Sequence, residues 1–497
     1  MKIQKHLLVS AAVMLSVFLT ATKCNNKKEE TKDPPKGASV KPVPLPTNIV
    51  PGFNFPEQES VINGWTNNPK FPGSYDSASI YTHAWGIWAG LTAPSGETFA
   101  GDKLLVYQTW LGLNEVRQLV IDNDSTDGCT GAKRSFGRAP LTRATQLQHA
   151  ARFTKQNAAK FASQSTSPVN DTLVNQWVTV SYSPDAACFA TKNQIFRQSV
   201  INKYYQAGGL GAIPAFPNTS LTIKPTYLVY NKNESPFKMP VWLDAPNPPN
   251  ANFFGLANNY VYVDATNSQP AGKTAVPVSG SETDKTKIAA ATINLNDFIS
   301  LTVDKQMADY MNQQDSIQGM TGSGKALPGQ VAILVGMHVT TKEISNWTWQ
   351  SYYWTPNPAQ PGSPSSALAA SLRPSQITGA AAHYACVAAY VMLTPNNASN
   401  STAGAGPMFG YNPYLEGSFG PPVFGFPNTY NKNYQYGVQT NCMSCHALAI
   451  PSPAGNYTTD QTIDLKGDYF KGQVSLDFAW SIQTALINDA KPYWSTQ

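Results

Sequence analysis

The chain has 497 residues, of which 42% are hydrophobic and only 13% are charged, and its formal net charge is +5. This length suffices for a large core or for two to three domain-sized units, and the abundance of Tyr, Trp, Asn, Ser, Thr and Pro is typical of an exported, loop-rich protein. Residues 1–23 hold three lysines and no acidic residue, so the remainder is close to neutral. The chain carries no basic stripe, which argues against a nucleic-acid partner.

Residues 1–24 predict export. Met1–His6 is positively charged, and Leu7–Thr20 is an apolar run too short for an ordinary transmembrane helix. Cys24 follows directly, which predicts a bacterial lipoprotein that is acylated on Cys24 after cleavage and held to a membrane of the cell envelope, periplasmic or outer-membrane-associated. Lys23 stands where such signals usually have a small residue, so ordinary cleavage and a soluble periplasmic protein are the alternative.

Residues 25–60 predict an extended tether, because they begin with charged residues and continue with seven prolines. A stretch of this composition cannot bury a core. Residues 61–410 combine short strand patterns with helical ones and with long loops rich in Pro, Ser, Ala and Asn. They predict an α+β fold, in which a β-rich body carries several peripheral helices.

The secondary-structure elements are predicted from the spacings of hydrophobic residues that are typical of helices and of strands. Aromatic spacing over Tyr81–Gly90 indicates a helical face or a buried loop, and Ala381–Leu393 fits a strand or a buried helix. Ser268–Thr286 predicts a surface insertion. Helices are predicted at Leu141–Phe161, Asp185–Tyr205, Leu295–Gln313 (with Asn294 as N-cap) and Val474–Ile487, and strands at Leu104–Trp110, Val174–Tyr182, Lys224–Tyr230, Phe237–Leu243, Tyr260–Asp264, Gln330–His338 and Trp347–Trp354.

The most specific motif is Cys442–His446, which spells C-x-x-C-H, the attachment signature of c-type haem. Two thiols at this spacing can add across the two vinyl groups of one porphyrin, and His446 then lies under the ring and gives an imidazole nitrogen to the iron. Residues 411–497 are therefore predicted as a C-terminal c-type haem-binding segment with one covalent haem c. Cys442 and Cys445 are the attachment residues, and His446 is the proximal iron ligand.

Two other uses of this motif are less well supported. A thioredoxin-like redox pair expects a strand before the motif, whereas the polar stretch Asn431–Gly437 precedes it here. A structural zinc site expects a second Cys/His pair at similar spacing, and the sequence has none. Haem attachment outside the cytoplasm also agrees with the export signal, so disulfide and zinc chemistry are minor alternatives.

Three further cysteines lie upstream of the motif in the exported chain. An oxidising compartment permits one disulfide. Cys129–Cys188 is the preferred pair, because Cys386 lies in an apolar run and fits a buried thiol.

The second axial ligand is not where small class I cytochromes usually have it. Residues 447–497 contain no Met and no His. The ligand therefore comes from upstream, from an unusual downstream donor (Lys466, Lys471 or Tyr457), or is missing.

Three upstream residues are candidates for this ligand. His338 and His83 lie beside aromatic-rich segments, and Met408 lies on a Gly-Pro loop, although each also fits a packing role. His149 fits the polar face of a predicted helix and is expected at the surface. His383 fits a buried core position.

The residues resemble a known family when four segments are taken together. Val335–His338, Asn346–Trp349, the late C-x-x-C-H and Asp477–Ser481 resemble a group of large exported bacterial cytochrome c family proteins with a single C-terminal haem motif. The resemblance implies haem binding and electron transfer, and it implies no substrate.

One departure concerns the residues after the W-x-W. Members of the group tend to have an acidic residue and a His there, whereas this chain has Tyr353 and Trp354. The role of that His is lost here or passes to His338.

Two functions follow as expectations. The favoured one is an electron carrier, in which His446 and a Met or His from the body hold a six-coordinate iron and the protein exchanges electrons with a redox partner protein. The alternative is a peroxidase- or oxygenase-like oxidoreductase with an open sixth site. His338 is then the candidate catalytic residue, as a distal acid or base.

Overall fold

The computed structural model describes residues 40–66, 75–99, 102–129, 147–149, 175–244, 256, 259–318, 325–392, 410–416, 441–452 and 463–496. Over these ranges the protein combines helices with several antiparallel sheets, so the predicted α+β class is confirmed. The predicted positions of Cys24 and Met408 lie outside the described residues.

Most of the helices are short. They are α1 Glu59–Thr66, α2 Ser77–Thr92, α3 Leu113–Ile121, α4 Ser125–Cys129, α5 Pro184–Lys192, α6 Gln198–Ile201, α7 Lys285–Ala291, α8 Lys305–Gln318, α9 Ala367–Ser371, α10 Cys442–His446 and α11 Trp480–Thr484. Within the described ranges, no helix has the length and apolar character needed to cross a membrane.

The strands are β1 Pro94–Phe99, β2 Asp102–Leu105, β3 Leu111–Gly112, β4 Gln148–His149, β5 Gln176–Val178, β6 Ser181–Tyr182, β7 Leu210–Ala212, β8 Leu221–Tyr230, β9 Phe237–Pro240, β10 Asn259–Asp264, β11 Val278–Ser279, β12 Thr292–Asn294, β13 Ser300–Thr302, β14 Val331–Thr341, β15 Thr348–Trp354, β16 Tyr384–Ala388 and β17 Gln473–Ser475.

The largest sheet in the described ranges has nine strands and is antiparallel throughout. Its main path runs β16-β15-β14-β8-β5-β4, with β13 beside β14 and the β3-β6 pair beside β8. In the register of this sheet, His338 of β14 lies between Lys224 of β8 and Ser351 of β15. The register places these three side chains on one face, because strand neighbours in register share a face.

The opposite face of this sheet is covered by α2. The Tyr352 ring stacks on Trp88 with 4.4 Å between centroids, and Trp88 also contacts Tyr384. The Tyr352 hydroxyl donates a hydrogen bond to the Ala84 carbonyl. These aromatic side chains are fully buried, and they explain why Tyr81–Gly90 forms a helix and not a loop.

The C-terminal segment shares its core with the body. β17 pairs in parallel with β7, and Ile487 exchanges backbone hydrogen bonds with Phe196 and Gln198. One hydrophobic cluster runs from Leu45 to Tyr493. The boundary predicted at residues 410 and 411 is therefore no break in the hydrophobic core.

Residues 40–58 lie within the predicted tether, yet several of them are buried on the body. A methyl group added at Gly86 of α2 would meet the Phe53 ring, and one added at Gly90 would meet Leu45. Both residues are at most 8% exposed. Within residues 40–58, apolar side chains therefore pack beside the two glycines of α2. This part of the predicted tether lies against the body.

Several predicted strands are confirmed with shifts of a few residues. These are Val174–Tyr182 (as two strands), Lys224–Tyr230, Phe237–Leu243, Tyr260–Asp264, Gln330–His338, Trp347–Trp354 and, as one of two options, Ala381–Leu393.

Two predicted helices are wrong over their first half. Within Leu295–Gln313, Asn294 is confirmed as an N-cap, but it begins only a 3-10 turn at Leu295–Asp297; Ser300–Thr302 then pairs with β14, and the α-helix begins at Lys305. Val474–Ile487 begins as strand β17, and its helix begins at Trp480. In both places, pairing with a distant strand overrides the local helical pattern.

Three further predictions need correction. Leu104–Trp110 turns from strand to a 3-10 helix at Val106, and the helix predicted at Asp185–Tyr205 is interrupted between Lys192 and Gln198. The predicted helix around His149 is wrong at that residue, which lies fully buried in β4 against Trp177; much of that prediction falls outside the described residues.

The cysteines upstream of the motif behave as predicted. Cys129 and Cys188 form a disulfide, which joins α4 to α5. Cys386 is a free, fully buried thiol in β16. His383 is buried, as predicted for a core position.

Candidate functional site

The C-x-x-C-H motif forms the one-turn helix α10, which begins after Asn441. The Asn441 side chain accepts a hydrogen bond from the Ser444 backbone N–H at 2.8 Å, as an N-cap residue does. Its amide donates to the Val391 carbonyl at 2.9 Å, which ties the helix to the chain just after β16. Since residues three apart on a helix are neighbours, Cys442 and Cys445 lie on the same side.

His446 is oriented through one of its ring nitrogens. Nδ1 donates a hydrogen bond to the Phe478 carbonyl oxygen at 2.9 Å. Nε2 has no hydrogen-bond partner among the described residues, and it carries the lone pair of the neutral ring. A hydrogen bond of this kind fixes the tautomer and orientation of a metal-binding histidine.

Burial keeps the His446 imidazole neutral. It lowers the pKa of His446 to about 3, an effect that the Phe478 hydrogen bond partly offsets. The Trp349 ring lies against His446, with 4.2 Å between the ring centroids. At neutral pH the Nε2 lone pair is therefore available to a metal.

The two thiols are half-buried and protonated. Burial, with a contribution from nearby Glu416, raises the pKa of Cys445 to about 12 and that of Cys442 well above its ordinary value. They form no disulfide with each other. Redox-active C-x-x-C pairs work through a thiol of lowered pKa, so this environment disfavours thiol–disulfide exchange.

The segment around Phe478 wraps the helix with three hydrogen bonds. Leu476 N–H donates to the Ala449 carbonyl at 3.0 Å, Phe478 accepts from His446, and Trp480 Nε1 donates to the Cys445 carbonyl at 3.3 Å. These hydrogen bonds join the motif to the Asp477–Ser481 segment. They form a single structural unit.

The structure brings His338 to the same face of the sheet as Trp349. Its Nε2 lies 2.8 Å from Oε1 of Glu416, and Oε2 of Glu416 accepts from the Asn412 backbone N–H at 2.6 Å. The carboxylate therefore holds the proton on Nε2 and leaves Nδ1 as the acceptor. Nδ1 is buried and has no hydrogen-bond partner among the described residues.

Segment 410–416 can approach the sheet because β14 has a glycine there. A methyl group at Gly336 would come within 2.6 Å of the Asn412 side chain. The Asn412 amide donates to Ser351 Oγ and to the Tyr352 carbonyl, both at 2.9 Å. This arrangement carries Glu416 to His338.

His83 lies on the other side of the sheet, in α2. Its Nδ1 is 2.7 Å from the Tyr390 hydroxyl, and its Nε2 is 3.0 Å from Glu343. Both ring nitrogens of His83 are therefore hydrogen-bonded, to residues that do not belong to the C-x-x-C-H motif. The structure does not bring His83 to His446.

The other candidates for the second ligand fall into two groups. Met408 and Tyr457 lie outside the described residues. Lys466 and Lys471 are exposed, and Lys471 pairs with Asp468. Among the candidates for the second ligand that the structure describes, His338 lies on the sheet face whose Trp349 contacts His446.

The residues present fit a c-type haem. Two neighbouring thiols and a neutral histidine with a free Nε2 are the donor set that such a group requires. By contrast, the described ranges hold no group of three or more His, Cys, Asp or Glu placed to bind a metal ion directly. A zinc site built from protein ligands therefore has no support in these ranges.

Sequence reasoning missed Glu416, Asn412 and the Phe478 carbonyl. Glu416 is 78 residues from His338, and no spacing rule relates them. A backbone carbonyl has no residue signature at all. The one available signal was the Asp477–Ser481 segment, which was noted without a structural role.

Comparisons with known proteins do not assign the chain to a family. The chain matches no family model, and neither a curated protein nor a solved structure was found to match it. Its function must therefore be argued from the site.

Proposed function

We propose that this protein is a mono-haem c-type cytochrome of the cell envelope that exchanges electrons with a redox partner protein. Cys442 and Cys445 hold the haem covalently, and His446 is the proximal iron ligand. The observation that carries the proposal is the His446–Phe478 hydrogen bond, which leaves Nε2 free beside two thiols on one helical turn. The export signal and an acylated Cys24, which would anchor the protein to a membrane, agree with it.

Each residue of the site has a distinct task in this proposal. The bound haem supplies a one-electron couple. The thiols of Cys442 and Cys445 would hold the porphyrin beside α10 through thioether bonds to its two vinyl groups. Phe478 orients His446, and Trp349 covers the imidazole and limits access of water. A drier site strengthens every electrostatic influence on the iron.

His338 is the second iron ligand that the structure supports best, through Nδ1. That nitrogen carries the free lone pair, and Glu416 holds the ring by the other. The same geometry favours the alternative function, a haem-dependent oxidoreductase of peroxidase or oxygenase type. There His338 stays unligated and moves protons at Nδ1, with Glu416 as the group that orients it.

Replacing both thiols tests the proposal directly. We expect Cys442→Ala/Cys445→Ala, produced in a host that matures c-type cytochromes, to lose haem staining on a denaturing gel, because no thioether can form. Cys386→Ala is the matched control, since Cys386 lies on the opposite face of β16, and it should keep the stain. Haem staining in the double variant would refute covalent attachment at this motif.

Carbon monoxide separates the two functions. For the electron carrier we expect no CO difference spectrum in the reduced wild type, because two protein ligands occupy the iron. His338→Ala should then bind CO, whereas His83→Gln should not, since His83 lies on the α2 face. Rapid CO binding by the wild type would refute the carrier with His338 as ligand and support the oxidoreductase.

A further inference from the structure

The Phe478 carbonyl that orients His446 lies in an unusual piece of backbone. Asp477 and Phe478 have φ angles of 49° and 67°, so two consecutive non-glycine residues adopt the left-handed conformation. This conformation is costly for L-residues and persists only where the surroundings impose it. Something must therefore hold this segment against its own preference.

Asp477 is held from both carboxylate oxygens. Oδ1 lies 2.6 Å from the Lys342 ammonium, and Oδ2 accepts from the Phe216 backbone N–H at 3.1 Å. Both side chains of the ion pair are nearly buried, at 7% and 12% exposure. Burial raises the pKa of Asp477, and Lys342 opposes that shift.

Lys342 is itself fixed by the loop between β14 and β15. Its ammonium donates to the Ser345 carbonyl at 2.7 Å and lies 5.4 Å from the centre of the Trp347 ring. Its backbone N–H donates to the Ser220 carbonyl. The hairpin that places Trp349 on one side of His446 thus also holds, through Lys342 and Asp477, the carbonyl bonded to Nδ1.

We propose that the buried Lys342–Asp477 pair positions the Phe478 carbonyl against His446 and thereby sets the reduction potential of the iron. This role rests on the haem function proposed above. A proximal histidine that donates a strong hydrogen bond is a more basic ligand and stabilises ferric iron. Lys342 and Asp477 are positioning residues, because they act through Phe478 and do not touch the iron ligand.

A positioning role and a purely electrostatic role of the Lys342–Asp477 pair predict different changes in the reduction potential when its residues are replaced. Replacing Lys342 by Met removes a positive charge, which by electrostatics alone lowers the reduction potential. If Lys342 acts by positioning, its loss weakens the His446–Phe478 hydrogen bond and raises the potential. For Asp477→Asn both effects raise it, so Lys342→Met is the decisive variant.

The experiment is redox titration of the holoprotein. We expect Lys342→Met and Asp477→Asn each to raise the midpoint potential, and the double variant to show no further rise. Asp489→Asn is the matched control: Asp489 also anchors the C-terminal segment, through Arg197 and the Ser199 N–H, without contacting the 445–449 turn. It should leave the potential unchanged. A lower potential in Lys342→Met would overturn the proposal, and an unchanged potential would be decided by the tautomer measurement described next.

A second readout does not require haem. The ¹⁵N shifts of His446 report which ring nitrogen carries the proton, and we expect one fixed Nδ1–H tautomer in the wild type and a mixture in both variants. A wild type without covalent haem would refute the proposed function, while this readout would still test the positioning. Unchanged tautomers in both variants would refute the positioning alone, as would failure of the Asp489 control to differ from them.

Discussion

Three histidines of this protein differ in which ring nitrogen is already bonded, and this difference decides what each can do. His446 uses Nδ1 on the Phe478 carbonyl and keeps Nε2, whereas His338 uses Nε2 on Glu416 and keeps Nδ1. His83 uses both nitrogens, on Tyr390 and Glu343. Two of the three can therefore serve a metal or move a proton, and the third holds the core together.

The lowered pKa of His446 predicts resistance to acid. A proton competes with iron for Nε2, and the folded protein disfavours that proton because it lowers the pKa of His446 from 6.5 to about 3. We therefore expect the bond between His446 and ferric iron to survive acidification through the range where an ordinary histidine protonates. Absorption spectra recorded during an acid titration measure this.

Trp349→Ala provides the comparison for the titration. Removing the indole admits water to His446, which returns its pKa toward the ordinary value and moves the spectral transition to higher pH. A wild-type transition near pH 6.5, with no change in Trp349→Ala, would show that burial does not protect the ligand.

At the scale of elements, the central sheet separates two environments. Its α2 face is filled by large aromatic side chains such as Tyr352 and Trp88. The other face combines small residues such as Gly336 and Ser351 with His338, and it receives α10 and segment 410–416. The alternation of side chains along β14 and β15 thus makes one face a core and leaves the other for the site.

Two helical glycines test how residues 40–58 are held. Gly64 of α1 has open space where a methyl group would lie, whereas a methyl group at Gly86 of α2 would come within 2.1 Å of the Phe53 ring. We expect Gly64→Ala to raise the free energy of unfolding by up to about 1 kcal/mol. Gly86→Ala should lower it by about 1–3 kcal/mol, through overpacking. Chemical denaturation measures both, and equal effects would mean that Phe53 does not pack on α2.

At the scale of the whole molecule, body and C-terminal segment are joined by many separate contacts. β17 pairs with β7, Asp477 reaches Phe216 and Lys342, and Asp489 pairs with Arg197. The turn that carries the C-x-x-C-H motif is therefore supported by the body as well as by the C-terminal segment. The large body thus supports the small C-x-x-C-H site, which gives one structural reason for its size.

The disulfide should stabilise this assembly. Cys129 and Cys188 are 59 residues apart, and their bond restricts the unfolded chain. We expect Cys129→Ala/Cys188→Ala to lower the free energy of unfolding by about 2–4 kcal/mol, measured with the iron in one oxidation state. Wild type with this bond reduced should match the variant. Equal stability of variant and oxidised wild type would contradict the expectation.

Local sequence determined the features that depend on neighbouring residues. The spacing of Cys442, Cys445 and His446 is a property of one helical turn, and the apolar, β-branched run in Gln330–His338 and the aromatic run in Trp347–Trp354 are properties of single strands. Both kinds of pattern lie within a few residues, so they can be read without knowing the fold.

Only the tertiary structure decided the features that depend on distant residues. The Glu416–His338 pair, the Trp349–His446 contact and the Phe478 carbonyl join positions far apart in the chain. The strand at Ser300–Thr302 likewise exists because β14 offers it a partner, although its own sequence favours a helix. Such contacts depend on which surfaces the completed fold brings together, and for that reason they cannot be predicted from a local sequence pattern.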